Sequence, residues 1–171
     1  RLGAAGVAIS HCPSSNMVLA SGVCPAPALE QAGCSIGLGV DGSASNDGSN
    51  MIGEVRQAFL LQRLHAGAER VSHEDALRWA TAGGARVLGR TSLGTLKPGQ
   101  LADLGCYSLD ELRFSGAGDP VAALVLCGAH QVQHLMVNGK WRVIDGEIPD
   151  VDLGALRARH DAAAKRLVAA Q

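Results

Sequence analysis

The sequence predicts an α/β fold, and three observations carry that prediction. Over the first half of the chain, short apolar segments rich in β-branched residues alternate with segments of helical periodicity. A Gly- and Pro-rich stretch with a strong hairpin signal follows, and an Ala/Arg-rich helical tail closes the chain. The order strand, helix, strand, helix argues for parallel strands covered by helices, in a doubly wound sheet or in part of a barrel.

The first strand is expected over Gly6 to Ser10, Gly-Val-Ala-Ile-Ser, ending at His11. Pro13 forbids its continuation as a central strand. After a polar turn, Ala26 to Gly33 has Pro near its start and Gly at its end, the asymmetry of a short helix. Cys34 to Val40 reads as the second strand, with Ile36, Leu38 and Val40 on one face and Ser35, Gly37 and Gly39 on the other. Glycines on one face predict a very close neighbour there. The polar run Asp41 to Asn50 leads into a helix over Met51 to Leu64, whose stripe is Ile52, Val55 and Phe59 and whose first amides Ser49 or Asn50 can cap. Ser72-x-x-Asp75 is a capping box for a third helix, with Val71 as a staple against Ala76, and Gly83-Gly84 is expected to end or break it. From Leu93 onward the pattern is β-rich: Ala102 to Tyr107 alternates, and Asn138-Gly139 joins Val132–Val137 to Lys140–Ile144 as a hairpin. Leu153 to Ala170 is the closing helix.

The chain of 171 residues is 47% hydrophobic and 18% charged, enough apolar material for a substantial core. Fifteen Lys and Arg against 16 Asp and Glu leave a formal charge of -1, which offers no electrostatic footprint for nucleic acid. No apolar run reaches the roughly 18 residues of a membrane span, and no signal peptide is recognisable, so no membrane partner and a cytoplasmic setting are expected. Cys12, Cys24, Cys34, Cys106 and Cys127 are odd in number and form no C-x-x-C pair, so they read as small buried thiols. The chain opens at Arg1 without an initiator Met, one residue from an apolar segment, and is read as a portion of a longer protein.

Asp41 is the sharpest candidate for chemistry. It follows an apolar strand directly, and parallel α/β folds bind ligands beyond the carboxyl ends of their strands; an Asx-turn is the structural alternative. His11 ends the preceding strand and is expected to face the same mouth. Other patterns are weaker. Gly37-x-Gly39-x-x-Gly42 has dinucleotide-fingerprint spacing, but its glycines lie within the strand. His130 and His134 fall in an alternating segment and read as surface histidines; Ser14 and Ser15 lack a nucleophile elbow, and Asp103 reads as a turn residue.

Four ordered motifs resemble the amidohydrolase superfamily in its cytosine-deaminase-like and chlorohydrolase branch: His11-Cys12-Pro13-Ser14-Ser15-Asn16, Ser21-Gly22-Val23-Cys24-Pro25, Gly37-Leu38-Gly39-Val40-Asp41-Gly42 and Gly94 to Leu104. Within that branch, Val40 to Asn50 and Gln57 to Arg63 are most similar to the 8-oxoguanine deaminase group, also labelled hydroxydechloroatrazine ethylaminohydrolase. The resemblance implies the C-terminal part of a TIM-like (β/α)8 barrel: residues 1–88 as its last two strand-helix units and following helix, 89–150 as part of a β-sandwich lobe, and 151–171 as a C-terminal helix.

It further implies zinc-dependent hydrolytic deamination of 8-oxoguanine to urate and ammonia, with Asp41 as metal ligand and proton acceptor and His11 as its catalytic companion. Ser43, Ser45 and Asn46, with Asp47, would line the mouth as substrate contacts or loop support. Related rings, guanine, a pterin or a hydroxylated s-triazine, are the enzymatic alternatives, and a non-catalytic interaction module is the alternative of another class. The implied partners are a small purine-like substrate and further copies in a homo-oligomer. The family's other metal ligands and its proton-shuttling glutamate have no match here, and a complete barrel needs roughly 250 residues, so this chain alone is expected to be inactive.

Overall fold

A computed structural model describes residues 1–129 and 131–169 of the chain. Two short strands carry the candidate site: β1 (Ala8–His11) and β2 (Ser35–Leu38) pair in parallel, Ala8 opposite Ser35 and His11 opposite Leu38. A parallel pair needs a crossover, supplied by α1 (Pro13–Val18) and α2 (Ala26–Gln31). α1 stands where the sequence suggests only a polar turn. Pro13 occupies its first position, where a missing N–H costs nothing and φ is already helical.

α3 (Met51–Ala66) is capped by Asn50, whose side chain accepts from the Gly53 N–H at 3.2 Å, and it stops at Gly67, φ 107°. α4 (His73–Arg78) opens with both halves of the Ser72/Asp75 capping box. Arg78 ties it to α2 through Glu30 at 2.7 Å, and the Trp79 indole N–H donates to the same carboxylate at 3.1 Å.

Of the two outcomes expected at Gly83-Gly84, the helix is interrupted there and not ended. The chain passes through a π-turn (Trp79–Gly83) into α5 (Gly84–Val87), with both glycines helical at φ −65° and −56°. The glycine at 83 is needed for space, since a Cβ there would lie 2.2 Å from the Ile36 carbonyl oxygen. One at Gly37 would lie 2.9 Å from Val87 Cγ2 and 3.1 Å from Gly84 Cα. This is the close neighbour that the glycine face of the second strand predicts.

Ile36, Val55, Ala58, Phe59 and Trp79 form the centre of the core. Phe114 joins it from a 3-10 turn (Leu112–Phe114), and Ala123 and Val125 join it from α6 (Pro120–Leu126), which Asp119 caps through the Val121 and Ala122 amides and which packs on α3 and α4. A helix and part of the main core therefore arise where the sequence suggests only a β-rich lobe.

That lobe is a three-stranded antiparallel sheet in the order β3 (Leu104–Cys106), β4 (His134–Val137), β5 (Lys140–Val143). Asn138 and Gly139, at φ 50° and 73°, make the expected two-residue turn. Asp103 accepts from the Asn138 N–H at 2.5 Å and so supports the hairpin. His134 packs edge-on against Trp141, while His130 lies outside the described residues.

All five cysteines are free; Cys34 is buried, but Cys106, at the end of an edge strand, is exposed, contrary to the uniform burial expected. α7 (Leu153–Ala169) has no buried residue. Among the described residues no helix is long and apolar enough to cross a membrane.

Candidate active site

The site begins where β2 runs out. Three residues beyond the strand, Asp41 adopts φ 63°, a left-handed conformation that Asp tolerates better than most side chains. Its carboxylate is exposed, and its Oδ2 accepts from the Ser15 hydroxyl at 2.7 Å and the Ser45 hydroxyl at 3.2 Å. Among the described residues no side chain donates to Oδ1. The Ser15 hydroxyl, then the Gly42 amide and the Ser45 hydroxyl hold the carboxyl below the usual carboxylate range, so the group stays ionised.

The following loop is held from beneath. Asn46 is buried, and its amide donates one hydrogen to the Val40 carbonyl at 2.8 Å and the other to Glu54 Oε1 at 2.8 Å. Glu54 is itself only 2% exposed, and its Oε2 accepts from the Ser14 N–H at 3.1 Å. Ser45 and Asn46 are thus engaged in holding Asp41 and its loop, whereas Ser43 and Asp47 are exposed.

His11 lies at the same end of the sheet, opposite Leu38, with its side chain buried. Its ring is 1% exposed, and its Nε2 lies 3.3 Å from Gln62 Nε2 on α3. The other hydrogen of the Gln62 amide goes to the Cys24 carbonyl at 2.8 Å. An amide nitrogen only donates, so His11 Nε2 accepts, and the neutral ring carries its proton on Nδ1. Nδ1 is buried with no hydrogen-bond partner among the described residues. Burial pushes the pKa of His11 down to about 4, against a smaller upward pull from the Asn16 side chain. Burial also raises the Cys12 and Cys24 thiols, which leaves both protonated and poor metal ligands.

Among the described residues no three His, Cys, Asp or Glu side chains converge as a metal cluster. Asp41 fits one position of a zinc site, since it offers an accessible, ionised oxygen donor. His11 does not, because its acceptor nitrogen is already engaged by Gln62. Ser15, Glu54 and Gln62 complete the arrangement and were not singled out for these roles by the sequence. Their one signal is helical: Glu54, Ala58 and Gln62 recur every fourth residue beside the apolar stripe, and all three are buried.

Parallel strands crossed over by helices, with a carboxylate just past one strand's carboxyl end, are consistent with part of a TIM-barrel-type domain. The model of the amidohydrolase family matches residues 1–142, and the chain belongs to that family. It is 62% identical over 169 residues to 8-oxoguanine deaminase from Pseudomonas aeruginosa, covering 99% of this chain and 38% of that protein. Hydroxydechloroatrazine ethylaminohydrolase from Pseudomonas sp. strain ADP is 37% identical, over 98% of this chain and 36% of its own length. In structure the chain matches a crystal structure of an adenosine deaminase from Xanthomonas campestris with bound zinc, at a TM-score of 0.91 and 36% identity, covering 98% of this chain and 39% of that one. The chain thus spans less than two-fifths of the length of these relatives.

Proposed function

We propose that the protein carrying this chain hydrolyses 8-oxoguanine to urate and ammonia. Water supplies the oxygen that replaces the exocyclic amine, and the amine leaves with the protons that balance the reaction. The observation that carries this reading is the 62% identity to the Pseudomonas aeruginosa 8-oxoguanine deaminase across 99% of the chain.

Asp41 is the residue of this chain that would hold zinc. When bound, the metal supplies Lewis-acid chemistry that lowers the pKa of water to about 7. This chain's share is to hold a carboxylate ionised and fixed in direction. Ser15 and Ser45 donate to Oδ2, so the carboxylate that would hold the metal and accept a proton is fixed through one of its oxygens. Ser43, exposed in the loop, is available to a substrate, whereas Ser45 and Asn46 act through the loop they hold. The neutral ring of His11 cannot serve as a base through Nε2 while Gln62 donates to it, and its Nδ1 is buried. The same reading takes the enzyme as a cytoplasmic homo-oligomer acting on a small purine-like molecule.

The test is ammonia release by the protein carrying this chain, supplied with zinc, from 8-oxoguanine, guanine and a hydroxylated N-ethylamino s-triazine in parallel. Release that is fastest from 8-oxoguanine is expected. Preference for the triazine or for guanine would transfer the assignment to that ring, and no release from any of them would contradict a deaminase.

A further inference from the structure

We propose that Glu54 is the positioning residue that aims Asp41. The inference rests on the reading of Asp41 as the metal-holding carboxylate, and it concerns a side chain one helix away from it.

Glu54 grips both segments that determine where the Asp41 carboxylate points. Through Oε2 it takes the N–H of Ser14, the neighbour of Ser15, whose hydroxyl donates to Asp41 Oδ2 at 2.7 Å. Through Oε1 it takes one hydrogen of the Asn46 amide, whose other hydrogen holds the carbonyl of Val40, the residue before Asp41. One carboxylate on α3 therefore fixes the Asp41 backbone from one side and its hydrogen-bond donor from the other.

The chemistry of the position requires a carboxylate. Both incoming groups are donors, and they arrive from different segments, so both oxygens must accept. Glutamine could accept from only one and would turn its NH2 against the other donor. Glu54 is 2% exposed, and among the described residues it has no cationic partner, so its burial is not explained by an ion pair. A buried carboxyl group without a cationic partner is costly and is retained where its hydrogen bonds hold something in place. Residues that orient metal ligands from behind typically change metal affinity by 10- to 100-fold when lost.

The experiment uses the protein carrying this chain in four forms: wild type, Glu54→Gln, Asn46→Ala and Asp41→Asn. Folding is checked by circular dichroism. Zinc affinity is measured by chelator competition, and the visible spectrum of the cobalt(II)-substituted protein reports ligand geometry independently of turnover. We expect folded Glu54→Gln to lose roughly 10- to 100-fold in zinc affinity with a shifted cobalt spectrum. Asn46→Ala, which cuts the same connection at its second link, should move both readouts in the same direction, and it decides the matter if Glu54→Gln does not fold. Wild-type affinity and an unchanged cobalt spectrum in the folded variants, with zinc lost in Asp41→Asn, would overturn the role of Glu54. Zinc retained in Asp41→Asn would instead overturn the ligand reading on which it rests.

Discussion

Burial of His11 turns a titratable ring into a fixed neutral one, and this has a consequence for stability. Unfolded, the imidazole titrates near its ordinary value of 6.5, whereas in the fold its pKa is about 4. Above pH 6.5 neither state binds the proton, so the group leaves stability unchanged. Between 6.5 and 4 the unfolded chain binds it and the native one does not, so stability falls with pH by up to about 3 kcal/mol. Urea unfolding of the protein carrying this chain should therefore show a midpoint that drops between pH 7 and pH 4, with a shallower drop in His11→Gln. Equal slopes would contradict the buried neutral ring. Asp41 was legible in the sequence because a polar loop behind an apolar strand is where a parallel fold presents its side chains. Glu54 and Gln62 were not, because charged and amide side chains on a helix are usually solvated. Only the fold shows that the i, i+4 row through Ala58 faces inward.

The adjacent glycines of the α4–α5 connection make opposite demands on the chain. A Cβ at Gly83 would stand 2.2 Å from a backbone oxygen of β2, whereas one at Gly84 would meet only the Trp79 carbonyl oxygen at 3.8 Å. Gly83→Ala should therefore destabilise by about 3 kcal/mol or more through overpacking that a strand cannot relieve. Gly84→Ala, at a helical φ of −56°, should stabilise by roughly 0.5 to 1 kcal/mol. Calorimetric melting temperatures that move in opposite directions for the two variants would bear this out; equal effects would contradict it. The pair shows where local reading stops. A glycine that ends a helix and a glycine that admits a strand look alike in sequence, and only the neighbour at Ile36 distinguishes them. α6 escaped notice for a related reason: Val-Ala-Ala-Leu-Val-Leu is apolar all round, so it has no periodicity to read. The capping box at Ser72 and the Asn138-Gly139 turn were legible because each encodes its own hydrogen bonds or dihedral angles locally.

At the scale of the molecule, the described residues build one wall of a site. β1 and β2 pair only with each other among the described residues, and buried parallel sheets are normally larger than this. Hydrophobic residues on and just after α1 are exposed, with Val18 66% and Leu19 60% accessible. Asp41 stands at the carboxyl end of this sheet, ionised and aimed by two hydroxyls, and among the described residues no three His, Cys, Asp or Glu side chains form a metal cluster. The sequence shows the strand, the loop and the aspartate; the serine clamp and the buried glutamate behind it needed the fold.

The central claim is that Asp41 holds the metal of a purine deaminase. Its most direct test is to measure zinc content per chain and ammonia release from 8-oxoguanine side by side in the wild-type protein and in Asp41→Ala. The account predicts that the substitution lowers both together while the protein stays folded. A folded Asp41→Ala protein that keeps its zinc and its turnover would contradict it.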